Sequence, residues 1–118
     1  MFDLQVGIVH ELHRAGVRLL AGTDTFVPGF SLHDELALLV EAGLSPWKAL
    51  RTATHDAAIF LGAEADIGTI ETGRLADLVV LRQSPLHNIA NTRTIAHTII
   101  AGHVIQPDLP QSLMVNVV

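Results

Sequence analysis

Asp24 is the residue whose type and position best suit chemistry. It closes the run Gly16-Val17-Arg18-Leu19-Leu20-Ala21-Gly22-Thr23-Asp24. Val17, Leu19 and Leu20 are too apolar for a loop, and the run is too short and glycine-bounded for a helix. It therefore reads as a strand over 17–21. Gly22 and Thr23 end that strand and leave Asp24 at its carboxyl end, where α/β barrels and open α/β sheets collect binding and catalytic groups. Taken alone, the same carboxylate reads more simply as a loop residue capping the helix that follows. His10 and His13 form a second candidate, spaced i, i+3 around Glu11 and Leu12. That spacing can hold a metal, but it is not the H-E-x-x-H of a zinc protease, and solvated helix histidines are the simpler reading.

The elements that must position these groups follow from the apolar spacing. Leu4, Ile8, Val9 and Leu12 predict a helix over about 4–15, closed by Gly16. After Asp24, Pro28-Gly29 marks a turn. Ser31-Leu32-His33-Asp34 is an S-x-x-D capping signature, with the serine expected to accept a hydrogen bond from the first free helix amides. The helix it opens runs over 31–42, burying Leu32, Leu36, Leu39 and Val40. Ser45-Pro46 starts another over 45–54, serine as cap and proline at the first helical position, with Trp47, Ala49, Leu50 and Ala53 as its packed face. A further short helix is expected over 55–61, closed by Gly62. From Gly68 the period changes to that of strands: one from Gly68, a turn around Gly73, and a second ending near Leu81. Thr94 to Ala101 predicts a third strand, Gly102-His103 a tight turn, and Val104-Ile105 a fourth.

The bulk properties exclude several classes. The chain has 118 residues, enough for one modest core and too few for a complete (β/α)₈ barrel of about 250. Its net charge is −5 with both signs scattered, which is no footprint for nucleic acid. There is no cysteine, so disulfides and thiolate ligands are excluded and a reducing, cytoplasmic setting fits. No signal peptide is evident, and the most apolar run, Ile95 to Ile105, falls far short of a membrane span. A mean hydropathy of +0.42 is high for so small a chain and suits a segment buried inside something larger.

In this order the motifs resemble the C-terminal part of the metal-dependent amidohydrolase superfamily, nearest its imidazolonepropionase-like and prolidase-like branches. Three blocks carry the resemblance. Ala21-Gly22-Thr23-Asp24 looks like the end of the eighth barrel strand. His33-x-Glu35-Leu36, then Val40-Glu41-Ala42-Gly43-Leu44-Ser45-Pro46, Ala49-Leu50 and Ala53-Thr54, looks like the helical segment after it. Gly68-x-Ile70 with Gly73-Arg74-Leu75-Ala76-Asp77-Leu78-Val79-Val80-Leu81 looks like the return into a small β-sandwich beside the barrel. The resemblance implies an α/β fold: residues 1–65 as the end of a barrel, 66–106 as part of a composite β-sandwich, and 107–118 as a tail.

It also implies a role for Asp24. In that family the strand-eight aspartate binds a divalent metal, usually zinc, and accepts a proton from the water the metal activates. Asp24 inherits both roles, catalytic and metal-binding, while Thr23 and His33 flank the site next to substrate. His33 as a helix-start histidine packed on the barrel rim is the competing reading. Asp77, inside a strand-forming run, reads as a carboxylate holding backbone amides. The departures are as informative. The family's His-x-His pair, its lysine or acidic ligand and its further barrel histidines do not occur here, and the seven histidines include no His-x-His. Asp56 stands where asparagine is usual, and Ser84 and Asn88 where aspartates are frequent.

Two functions follow. In the first, the chain is the C-terminal portion of a hydrolase of C–N bonds acting on a small amide, cyclic amide or dipeptide-like substrate. In the second, it is a non-catalytic module that packs with a partner chain. With one plausible ligand, the chain alone is expected to be inactive and not to retain zinc. A lone barrel strand and half a sandwich are expected to drive self-association or pairing with an N-terminal partner segment. A nucleotide-binding turn at Ala21-Gly22-Thr23 is a poor reading, because the second and third glycines of that motif are missing and no phosphate-binding helix comes directly after.

Overall fold

Apolar residues at helical spacing build the first half of the chain into four helices: α1 (Phe2–Arg14), α2 (Ser31–Glu41), α3 (Pro46–Thr52) and α4 (His55–Leu61). The structure, a computed structural model, describes residues 2–24 and 29–105. The Pro28-Gly29 turn and the tail thus lie wholly or partly outside the described residues. Leu36 and Leu39 of α2, Leu44 beyond it, Ala49 of α3 and Ile89 form the buried core. Val9, Leu19, Ala21, Leu32, Val40, Leu50 and Ala53 pack around it, so α1 meets α2 through Val9. The other apolar stripe of α1, Leu4, Ile8 and Leu12, is exposed. Trp47 also departs from the expected packed face of α3. It is 53% exposed, its ring lying 4.9 Å under the Arg51 guanidinium, which pairs in turn with Asp56 at 2.7 Å.

Caps explain two boundaries. Ser45 Oγ accepts from the Lys48 amide at 3.2 Å, with Pro46 behind it as the first helical residue. Ser31, by contrast, is not the cap of α2. It is the first helical residue, and Phe30 occupies the cap position without a side-chain bond. His10 is not a solvated histidine either. Its Nδ1 lies 2.8 Å from the Ala42 carbonyl oxygen, so Nδ1–H donates to the end of α2 and clasps the two helices together.

Residues 17–24 take no strand assignment, contrary to the expectation for 17–21. An extended segment becomes a strand only through ladder bonds to neighbours. Here the Ala21 amide donates to the Thr52 carbonyl at 3.3 Å, and no sheet partner lies alongside among the described residues. The strand expected from Gly68 is absent for the same reason. Residues 64–74 form turns, Leu75 N–H donates to the Asp66 carbonyl, and Ile70 is 85% exposed.

The sheet that does form has three antiparallel strands in the order β1 (Leu78–Leu81), β2 (Ile95–Ile100), β3 (His103–Val104). Leu78 faces Ile99 and Val80 faces His97, with an irregularity between Val80 and Leu81. The β2–β3 turn is Ala101-Gly102, one residue earlier than Gly102-His103. Both residues have positive φ, 49° and 80°, as a two-residue hairpin demands. Asp77 holds the unfavourable alanine there, since its Oδ1 accepts the Ala101 amide at 2.8 Å. A 3-10 helix, Ile89–Arg93, joins the sheet to the helical core through Ile89.

Candidate functional site

Asp24 is exposed and has φ of 42°, a left-handed conformation that aspartate tolerates better than most side chains. The segment leading to it is held at two points. Leu19 and Ala21 pack on the core, and the Gly22 amide donates to Glu35 Oε1 of α2 at 3.2 Å. Thr23, half-buried, lies between that bond and Asp24. The sequence offers Glu35 only as part of a motif; the structure shows that it anchors the backbone two residues before the candidate carboxylate. Nothing local signals this, because the two ends of the bond are 13 residues apart.

His33 belongs to the same helix but turns another way. Residues two apart on a helix do not share a face, and the His33 ring meets the 3-10 helix, Nδ1 lying 2.9 Å from Thr92 Oγ1. Thr92 is buried and its one hydroxyl proton goes to the Ile89 carbonyl at 3.0 Å. His33 Nδ1 must therefore be the donor, which leaves Nε2 of the neutral ring as an acceptor. The next residue repeats the connection, as Asp34 pairs with Arg93. No hydrogen bond or ion pair among the described residues joins His33 to Thr23 or Asp24. The two halves of the expected site thus hang on different neighbours.

Burial lowers the His33 pKa below 6.5; the Arg93 cation lowers it further, and Asp34 opposes both. The consequence has a definite sign. Below 6.5 the unfolded chain takes up this proton before the folded one does, so stability falls as pH drops from 6.5 through the lowered value. Thermal melts between pH 8 and pH 5 should show a decline that is smaller in His33→Gln, measured against each protein's own pH 8 value. An identical decline in both would exclude His33 as its source.

A crevice of about 120 Å³ between α1 and α2 is lined in part by Val6, Val9, Glu35 and Leu39. It is below the 300–1,000 Å³ of a small-molecule pocket, and contains none of Thr23, Asp24 and His33. A catalytic divalent ion needs about three protein ligands. Among the described residues no three His, Cys, Asp or Glu side chains gather, and Asp24 stands in solvent. The described residues by themselves do not complete the donor set of a catalytic ion, of which Asp24 could supply one member. Among the same residues no helix is long and apolar enough to cross a membrane.

Comparison with known proteins supplies the context that the isolated geometry lacks. The model of the amidohydrolase family matches residues 5–105. The chain is 39% identical over 85 residues to an imidazolonepropionase of Sphingopyxis alaskensis, covering 68% of this chain and 21% of that protein. It is 37% identical over 78 residues to the ochratoxinase of Aspergillus niger, covering 64% of this chain and 16% of that one. Among solved structures, a Xaa-Pro dipeptidase superposes with a TM-score of 0.79 at 28% identity, over 86% of this chain and 25% of its own. The chain thus spans between about a tenth and a fifth of the length of the curated relatives it matches. With the family model matched over nearly its whole described length, this chain belongs to the amidohydrolase family.

Proposed function

We propose that the chain is the C-terminal share of a metal-dependent hydrolase of C–N bonds. In this reading residues 1–65 form the end of a (β/α)₈ barrel, 66–106 contribute to a small β-sandwich, and 107–118 trail behind. One observation carries it: nearly the whole chain superposes on solved amidohydrolase-type structures of which it covers only about a quarter. Residues 17–24, unpaired here, then become a barrel strand once neighbours flank them, and Asp24 comes to its carboxyl end.

Asp24 is the general base in this proposal. It takes the proton of a water as that water adds to the substrate carbonyl, and returns it to the departing nitrogen, so that one C–O bond forms and one C–N bond breaks. Thr23 and His33 lie near the substrate, His33 offering Nε2 as acceptor because Nδ1–H is committed to Thr92. Zinc is the proposed ion and Asp24 one of its ligands. The remaining ligands are not among the described residues, so the chain alone is inactive and does not retain the ion. The names of the relatives suit a small amide, cyclic amide or dipeptide-like substrate, and the lack of cysteine suits a cytoplasmic setting.

A chimera tests this reading. Residues 5–105 replace the corresponding segment of the Aspergillus niger ochratoxinase, whose solved structure this chain matches over 92% of its length with a TM-score of 0.75. The expected result is a folded chimera with measurable hydrolysis of the host's substrate. A chimera that melts cooperatively yet shows no turnover would favour the alternative, a non-catalytic packing module.

A further inference from the structure

We propose that Glu35 is a positioning residue for Asp24, acting through the backbone amide of Gly22. The role rests on the reading of Asp24 as the proton acceptor. Glu35 is half-buried on α2 and lines the crevice between α1 and α2 beside Val6, Val9 and Leu39. Its carboxylate pairs with no cation among the described residues. The hydrogen bond it does make is to the Gly22 amide, at 3.2 Å. Among the described residues no other hydrogen bond lies nearer Asp24 along the chain.

The preceding amide makes the restraint two-sided. Ala21 N–H donates to the carbonyl of Thr52, the last residue of α3, and Gly22 N–H to Glu35 of α2. Two successive amides are thus tied to two different helices just before Thr23. Asp24 then turns at φ of 42°, a conformation that a residue other than glycine keeps only where its surroundings determine it. The direction of its carboxylate is set by the backbone leading into it, and the last tie on that backbone is Glu35. Stability is a poorer account of the contact. Gly22 is exposed, so water replaces the lost acceptor at little cost when the carboxylate is removed. Water does not replace direction, and a displacement of about 1 Å in a reacting group costs about a hundredfold in rate.

The test has two arms. In the 118-residue chain, amide hydrogen exchange at Gly22 should be about threefold to tenfold faster in Glu35→Leu, the protection that one exposed hydrogen bond gives. Leucine keeps an apolar stem in the crevice and suits a helix, so the melting temperature should move little. Glu35→Gln keeps an acceptor oxygen at the same reach and should keep the protection. In the ochratoxinase chimera, Glu35→Leu should lower kcat by about tenfold to a hundredfold with KM nearly unchanged, and Glu35→Gln should recover it to within about threefold. A residue that only held the helices together would move the melting temperature and leave the kcat of the folded protein alone. Equal exchange at Gly22 in all three proteins, or unchanged kcat in Glu35→Leu where Asp24→Asn is inactive, would overturn the proposal. Failure of the underlying reading looks different: the chimera has no turnover, or Asp24→Asn leaves kcat unchanged, while Gly22 still responds to Glu35. Glu35 then holds the backbone without serving the reaction, and the proposal falls with that reading.

Discussion

Asp24→Asn in the ochratoxinase chimera is expected to lower kcat by about 10²–10⁴-fold, the usual contribution of a positioned proton acceptor. Asparagine is the informative replacement because of the backbone. Asp24 has φ of 42°, which asparagine accepts as readily as aspartate, while alanine would add strain of its own. The change therefore keeps shape and conformation and removes only the charge. Asp24 is also exposed and makes no contact with the core cluster, so the melting temperature should move little. Turnover and melting, measured on the same preparation, separate the two effects. Unchanged kcat would remove Asp24 from the chemistry.

Gly68→Ala is expected to have the largest effect on stability, about 2–4 kcal/mol, from overpacking added to backbone strain. Gly68 has φ of 95°, outside the region open to alanine. The space is closed as well. A Cβ there would lie 2.7 Å from the Ala58 Cβ, 3.1 Å from the Thr54 carbonyl oxygen and 3.2 Å from the His55 Cα. Two of these three are backbone atoms of the Thr54–His55 corner, and Ala58 is buried, so none can swing aside. Gly7→Ala is the control, since nothing lies within 4 Å of the added methyl and its φ is ordinary. In a mid-helix position it should be neutral or slightly stabilising. Urea melts of the two variants that coincide would show that Gly68 is not under this constraint.

What could be read in advance depended on how local its cause was. The ranges 4–15, 31–42, 45–54 and 55–61 differ from the observed helices by two residues or fewer at each end, because i, i+4 spacing, Ser45-Pro46 and Gly62 act within a few residues. The strands expected over 17–21 and from Gly68 did not form, because a strand is a property of a pair and sequence shows only one member. The same logic governs the site. The place of Asp24 at the end of an extended segment was legible from the glycine and threonine before it. The bond from Gly22 to Glu35 was not, nor was the buried Thr92 that fixes the tautomer of His33. His10 was misread because its partner is a backbone carbonyl 32 residues away. The amphipathic pattern of α1 gave the helix, but not which of its two apolar stripes would face the core.

The two adjacent links from α2 to the 3-10 helix, His33 to Thr92 and Asp34 to Arg93, each span 59 residues. A ribosome adds about 5–20 residues per second. His33 and Asp34 therefore emerge roughly 3–12 seconds before the residues that will hold them. An isolated helix of 11 residues is marginal in water, so during that interval α2 has, of this chain's own described elements, only α1 and α3 beside it, with Ile89 missing from the core it shares with Leu36 and Leu39. The nascent chain thus passes through a stage with its helices made and this part of their shared core unfilled. That is the stage at which a chaperone would find it.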